Sequence, residues 1–434
     1  MSHAFADQVD ATVSLEPAGS PLKVLYIDGV GPFGGASRSL YEALSAFPEG
    51  TVAPHFLMQH GTAMDFYGRR AVGIETVRGL PRFDHSRASW YHGVRWLVPI
   101  RELGYVPFGV AGLLRARKRW PDIDLIHANE ICELPMALLA KKLFGVPLVV
   151  HVRSIQLTDR SYRRTRWYHR QLRDNVDKVV AIDENVRASL PRDADVQVIH
   201  NSFTPRYAAE PDHAYLAQFD KLRPNSLKVG FVGNLHRAKG VGELVQAARI
   251  VKDRGGDVQF LIVGGGTGEE KGLVHTVVKA VGLAQNMQGD FWQSVSEMGL
   301  ADDVLALGPT TDIQRVYERM DVVAFPSYFD APGRPVFEAA FSAVPAIVAV
   351  SHPRPDTLAD RETGIAIPDP DPEKIADAVM YFERNRDEVR RMGENARRLA
   401  ERNFSADRNA RELLGVYRAV VQGKAGQCSA ALPS

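Results

Sequence analysis

Cysteine is scarce in this sequence: Cys132 and Cys428 are the two in 434 residues, and they lie far apart. That scarcity argues against a disulfide-stapled scaffold and a cysteine-built zinc site, and it fits a reducing cytoplasm. Net charge is scarce too. At +1 the chain has no global field to draw it onto nucleic acid or lipid, so any such attraction must be local and no nucleic-acid partner is expected. No run approaches the ~18 apolar residues of a membrane span. The opening residues, Met-Ser-His-Ala-Phe-Ala-Asp-Gln-Val-Asp, hold neither a basic stretch nor an apolar core, so no secretory signal is expected. Residues 1–20 read as a disordered lead-in. What is there in quantity is the mixture of a soluble globular protein, 45% hydrophobic and 24% charged. At this length two or three domains are expected.

Two halves each alternate strand and helix patterns. In the first, Lys23-Val-Leu-Tyr-Ile27 runs into a glycine-rich turn, a helix follows over 36–47, and a strand lies near 55–58. Further strands are expected at 125–127, 147–152 and 179–182, with a helix over 134–144. The second half restarts at Lys228-Val-Gly-Phe-Val232, continues with a helix over 241–251, and has strands near 258–263, 304–307, 322–325 and 346–350. Between the halves, residues 204–226 hold three prolines and no clear period. Such alternation predicts parallel sheets covered by helices on both faces, an α/β protein of two doubly wound domains facing across a cleft. The expected limits are 21–205 for the first domain, 206–226 for the linker and 227–408 for the second domain. A final helix over 409–422 is expected to pack back on the first domain.

The richest segment is Pro326-Ser-Tyr-Phe-Asp-Ala-Pro-Gly-Arg-Pro-Val-Phe-Glu-Ala339, which follows the strand Val322-Val-Ala-Phe325 and opens a helix. Asp330 and Glu338 can accept hydrogen bonds from sugar or ribose hydroxyls. Pro335 suits the first helical position, Gly333 lets a ligand approach the backbone, and free N–H groups at a helix start attract phosphate. Sugar plus phosphate suggests a sugar nucleotide; the bland alternative is a polar loop with a solvated acid at each end. Gly29-Val-Gly-Pro-Phe-Gly34 matches the G-x-G-x-x-G spelling, but the second strand runs into Gln59-His60-Gly61 with no carboxylate for a nicotinamide ribose. Gly34 and Gly35 still put small residues at a helix start, either for a phosphate or for a tight turn. In Gly233-Asn-Leu-His-Arg-Ala-Lys-Gly240, Lys239 sits at a helix N-terminus, an unfavourable place for a cation unless an anion is near. A diphosphate would be such a partner, with Arg237 as a second cation; a solvated lysine is the alternative. Ile262-Val-Gly-Gly-Gly266 ends another strand and can line the same pocket through Gly264.

Together these segments resemble the retaining GT-B glycosyltransferases of family four, also called glycosyl transferases group 1, over residues 22–422. The resemblance rests on Gly34-Gly35, Asp124-Leu-Ile-His127, Val198-Ile-His-Asn-Ser202, residues 233–240 and 262–266, and the stretch from Asp321 through Asp330 and Glu338. It implies two Rossmann-like domains and a nucleoside-diphosphate sugar as donor. A hexosyl transfer with retention to a glycan or lipid-linked acceptor is implied, with no metal or other cofactor. By position it assigns the donor sugar to Asp330, the ribose to Glu338, and the diphosphate to Lys239 with Gly34 and Gly35 nearby. Arg334, beside Gly333, falls in the same donor loop. Three departures stand out: Asp330 replaces a glutamate, Asn234 replaces an arginine, and Arg153 stands where the family has a histidine. His151 is two residues away, and residues two apart on a strand share a face, so His151 and Arg153 are joint candidates on the sugar side.

Residues 160–173 hold six arginines, His169, Tyr162, Trp167 and Tyr168, and no acid; Trp90, Tyr91, Trp96 and Arg115-Ala-Arg-Lys-Arg-Trp120 add to them. Basic residues among aromatics suit an anionic bilayer or a lipid-diphosphate acceptor, which would place the protein in the cytoplasm at the inner face of the membrane. A solvated helix face over core aromatics is the alternative. Two other functions remain open on the same fold, a sugar-nucleotide epimerase and a non-catalytic nucleotide-sugar-binding protein. A glycosidase using the two carboxylates fits less well, because phosphate-type helix starts have no part in that chemistry.

Overall fold

The computed structural model describes residues 20–87, 97–265 and 287–430. Nearly all of the expected lead-in, together with Trp90, Tyr91, Trp96 and Gly266, lies outside them. The first sheet has seven parallel strands: β1 (Leu22–Asp28), β2 (Val52–Gln59), β3 (Gly73–Val77), β4 (Leu125–Ala128), β5 (Leu148–Val152), β6 (Lys178–Ala181) and β7 (Val196–Val198), in the order 3-2-1-4-5-6-7. The second has six: β8 (Leu227–Val232), β9 (Val258–Val263), β10 (Val304–Gly308), β11 (Val322–Phe325), β12 (Ala346–Ala349) and β13 (Gly364–Ile367), in the order 10-9-8-11-12-13. In each, the chain moves outward on one side and then returns to the middle. The order therefore reverses between β1 and β4 and between β8 and β11, the places where an open parallel sheet binds ligands at its strands' carboxyl ends.

The strands are continuous apolar runs because both faces are covered. In β1, Leu25 and Ile27 enter a core shared with Leu113, Ala137 and Tyr168, while Val24 and Tyr26 enter one shared with Leu40 and Leu44. That second core is completed from the far end of the chain. Helix Ala406–Ala430 lays Leu413, Val416 and Tyr417 on it, so the last helix of the sequence belongs structurally to the first sheet. The segment between the sheets is not mere tether: Tyr215, Phe219 and Leu222 pack into the core of the second domain with Leu261, Val263 and Tyr317.

Helix Leu97–Arg119 overturns the expectation that nothing approaches a membrane span. Arg101 and Glu102 interrupt its apolar run, which hid it from a search for unbroken stretches. Even so, one 18-residue window reaches a mean hydropathy of 1.3, and only 22% of that window is buried. Its packing is one-sided and concentrated late: Gly109, Gly112, Leu113 and Ala116 are buried, whereas before residue 109 only Glu102 is. Leu97, Ile100 and Leu103 stand about 60% exposed.

Tyr417 anchors the returning helix. Its hydroxyl lies 2.6 Å from Nδ1 of His127 and 3.2 Å from the hydroxyl of Tyr26. Burial drives the pKa of His127 down to about 3, so the ring is neutral, and its Nε2 has no partner. Tyr417→Phe leaves both ring nitrogens unpaired. It should lower the unfolding free energy by about 1–3 kcal/mol, read as a shift of the urea midpoint with unchanged slope.

Candidate functional site

The loops after β8 and β11 touch at the backbone. Gly240 has φ +70° and begins helix Val241–Asp253, and a Cβ placed on it would lie 1.8 Å from the carbonyl oxygen of Pro326. Ser327 Oγ and the Tyr328 N–H both donate to Ala238 O, at 3.1 and 3.0 Å. Lys239 is thereby held with Nζ 5.1 Å from the centre of the Phe325 ring and 4.9 Å from that of Phe329. Burial lowers its pKa, and among the described residues no carboxylate pairs with it. Arg237 and Asn234, by contrast, are exposed. Gly264 is needed for a similar close approach: at φ +124°, its Cβ would lie 2.2 Å from Gly233 O.

Asp330 sits in the left-handed region at φ +56°. Its carboxylate accepts from Ser351 N at 2.6 Å, Ser351 Oγ at 2.8 Å, and Arg87 Nη1 at 2.8 Å. Arg87 belongs to the first domain, so this ion pair spans the cleft. Gly333 has a packing reason of its own: a Cβ there would lie 2.3 Å from Cζ of Phe325. Helix Arg334–Ala340 follows, with Pro335 in its second position. Glu338 is buried, accepting from Arg334 Nε at 2.9 Å and from the Tyr317 hydroxyl at 3.1 Å. Arg334 Nη1 reaches across to Ser39 Oγ at 2.6 Å, while its Nη2 is buried without a partner.

Ser39 lies on helix Gly35–Ala46, for which Gly34 is the N-cap. A Cβ on Gly35 would lie 3.5 Å from Arg334 Cδ, so this helix start faces the second domain. Beneath it Asp28, fully buried at the end of β1, accepts from Tyr67 OH at 2.6 Å and Asn129 Nδ2 at 3.1 Å.

The structure separates the two sugar-side candidates. His151 is buried with its ring centre 5.6 Å from that of His127, and burial holds its pKa well below the ordinary imidazole value. Arg153 is half-buried, one residue past the end of β5. It donates from Nε and Nη2 to Asn129 Oδ1 at 3.1 and 2.9 Å, and from Nη1 to Asn201 Oδ1 at 2.9 Å. Its Nη2 also lies 3.2 Å from His151 Nδ1, so the histidine backs the arginine. Glu130, at the end of β4, accepts from Ile131 N at 2.9 Å and Arg153 N at 3.3 Å; burial raises its pKa to about 7. Among the described residues, no three His, Cys, Asp or Glu side chains converge to hold a metal ion.

Arg87, Ser351, Ser39, Tyr317, Asn129 and Glu130 had not been singled out from the sequence. Asn201 stood inside the quoted Val198-Ile-His-Asn-Ser202 run, and Asn129 and Glu130 follow a strand; those signals were available. Arg87 and Ser351 carried none.

Residues 33–206 match the family described as Glycosyltransferase Family 4, and residues 217–399 match Glycosyl transferases group 1. The chain is 27% identical over 333 residues to D-inositol 3-phosphate glycosyltransferase of Corynebacterium kroppenstedtii, spanning 69% of this chain and 68% of that one. It is 28% identical over 309 residues to alpha-maltose-1-phosphate synthase of Mycolicibacterium smegmatis, spanning 65% and 75%. Among solved structures, Anabaena HepE in complex with UDP aligns with a TM-score of 0.70 at 19% identity, over 92% of this chain and 100% of that one. HepE with UDP-glucose aligns at 0.67 and 19%, over 91% and 100%. At such identity the likeness establishes the architecture, two facing parallel α/β domains of the GT-B type.

The raised pKa of Glu130 carries a pH signature. Between its ordinary value near 4.5 and its folded value of about 7, the folded state holds a proton that the unfolded state releases. Its contribution is thus fully present at low pH and is lost as pH rises through 7. Glu130→Gln keeps the shape without the titration. Relative to the unaltered protein, it should gain on the order of 1–3 kcal/mol between pH 5 and pH 8. The check is urea unfolding of both proteins at the two pH values; an equal offset at both refutes it.

Proposed function

The chain belongs to the group 1 glycosyl transferases, family 4, with the GT-B fold, and we propose that it moves a hexose from a UDP-sugar to a glycan or lipid-linked acceptor with retention of configuration. The observation that carries this reading is Lys239. It is a cation partly stripped of water, resting on two aromatic rings, with no acid beside it among the described residues. A desolvated charge without a counter-charge is costly, and a diphosphate arriving there supplies what is missing. Departure of a nucleoside diphosphate builds negative charge on the leaving oxygen, and a preorganised cation stabilises that charge as it develops. HepE, which shares the architecture, has been solved with UDP and with UDP-glucose, and this supports uridine as the base.

The acids play unequal parts. Asp330 must exchange Arg87 for a sugar hydroxyl. The arginine side chain is 64% exposed, and an exposed pair contributes only about 0–1 kcal/mol, so the exchange is cheap. Glu338 need give up nothing, because each carboxylate oxygen can accept twice. With one bond per oxygen already made, it retains room for ribose hydroxyls. Arg153 stands at the end of β5, at the carboxyl edge of the first sheet, positioned for the sugar side.

Calorimetry with UDP, GDP, ADP and NAD, paired with release of UDP from UDP-glucose, tests this. UDP should bind best, and Lys239→Ala and Glu338→Ala should each weaken it at least tenfold. Equal affinity in the variants, or preference for NAD, sinks the site assignment. Tight UDP-sugar binding with no turnover on any acceptor would mark a binding protein instead.

A further inference from the structure

One layer of the first domain is built unlike the rest of the surface. Helices Leu97–Arg119, Leu134–Phe144 and Arg163–Asp174 all cover the sheet face that bears Leu25 and Ile27. Of the twelve large apolar or aromatic side chains exposed among the described residues, eight lie on these helices or at their caps: Leu97, Ile100, Leu103, Phe108 and Leu114, then Leu139, then Tyr162 and Trp167. On the opposite face, helices Gly35–Ala46 and Ala406–Ala430 bear none among their described side chains. Scattered exposed apolar residues need no explanation, whereas a concentration of them marks a contact surface.

Charge identifies the occupant. The only acid on helix Leu97–Arg119 is Glu102, which is turned inward to accept from Arg82 N at 2.8 Å. Its exposed polar positions are Arg101, which also pairs with Glu102 at 2.6 Å, Arg115, which pairs with Glu75 at 2.6 Å, Lys118 and Arg119. On the neighbouring basic helix Thr165, Tyr168 and Leu172 face the core, and Arg163, Arg166 and Arg170 face out. Arg163 and Arg166 have no carboxylate partner among the described residues, and the helix's one acid, Asp174, is at its far end, held by Arg173 with Arg170 nearby. Apolar side chains beside a surplus of exposed cations complement an anionic bilayer surface. The helix does not span, because Gly109, Gly112, Leu113 and Ala116 are committed to the core.

Topology places this surface beside the cleft. In a parallel sheet each helix starts at the carboxyl edge of the strand before it, so the least buried turns of Leu97–Arg119 and the start of Arg163–Asp174 lie at the edge that carries Asp28, Glu130 and Arg153. Residues 80–87 tie them there. Arg82 N bonds Glu102 and its side chain packs on Gly29; Phe83 O accepts from Tyr168 OH at 2.7 Å; Arg87 reaches Asp330.

We propose that this layer docks on an anionic membrane, Leu97, Ile100 and Leu103 entering the lipid interface while Arg163, Arg166 and Arg170 meet headgroup phosphates, so that the acceptor is a lipid-linked one delivered at the cleft. The acceptor class rests on the transferase reading; the docking does not. Flotation of the full chain with phosphatidylcholine vesicles, with and without phosphatidylglycerol, tests it. The unaltered protein should float with the anionic vesicles. Ile100→Glu/Leu103→Glu should bind them at least tenfold more weakly, and Arg163→Gln/Arg166→Gln/Arg170→Gln should lose the preference for anionic lipid, while both keep the circular dichroism and UDP affinity of the parent. Absence of flotation, or variants that float as well as the parent, overturns the proposal. So does a concentration-dependent dimer in sedimentation equilibrium that Ile100→Glu/Leu103→Glu abolishes, since the face would then belong to a second copy. Vesicle binding without UDP binding would uphold the docking and refute the transferase reading alone.

Discussion

The second domain's half of the site depends on one backbone contact, between Gly240 and the carbonyl of Pro326. Two strands separated by more than eighty residues send out loops that meet where no side chain fits, even a methyl group. The contact sets the position of Lys239 on one loop and of residues 326–333 on the other. Phe325 links them further: its ring lies under the Lys239 ammonium and forces residue 333 to be glycine. A lysine that must be poor in water and an acid-bearing turn that must sit beside it are therefore fixed by the same few atoms. Nothing long or flexible intervenes, which is how a site keeps its geometry without a ligand in place.

Across the cleft the contacts are of two kinds. Arg87 with Asp330 is a largely solvated pair, easily exchanged. Arg334, by contrast, is mostly buried among Ser39, Glu338 and the rings of Phe203 and Phe337. Breaking a buried, hydrogen-bonded charge leaves its partner stranded at a cost of several kcal/mol. The cleft thus has a firm side, near the linker, and a loose side, near the donor sugar's carboxylate. Opening and closing about the firm side would leave Glu338 in place while freeing Asp330.

Sequence reading served this molecule where information is local. β1, β8, β9, β11 and β12 are buried on both faces and read as apolar runs. β3 and β7 sit at sheet edges, carry polar residues (Glu75, Gln197), and were missed. Helix Leu97–Arg119 was missed because Pro107 and an unusually apolar outer face blur its period. Asp330, Glu338 and Lys239 could be picked out because turn, strand and helix signals surround them within a dozen residues. Their partners could not: Arg87 is 243 residues from Asp330, and Ser39 is 295 from Arg334. No periodicity carries that pairing; it exists only once both sheets have formed. The strand parity rule correctly put His151 and Arg153 on one face, but it is silent on depth. Depth depends on what covers that face, where the last helix puts Tyr417 on His127, the neighbour of His151.

That helix has a consequence for how the molecule comes into being. Residues 406–430 close a core whose other walls were synthesised hundreds of residues earlier. As the chain leaves the ribosome, β1, β2 and β4 can pair while Tyr26 and His127 still lack their cover. The second domain, whose elements lie in one stretch, can complete itself before the first one does. The first domain to be made is the last to be finished, and until then its unfinished face is surface for a chaperone to hold.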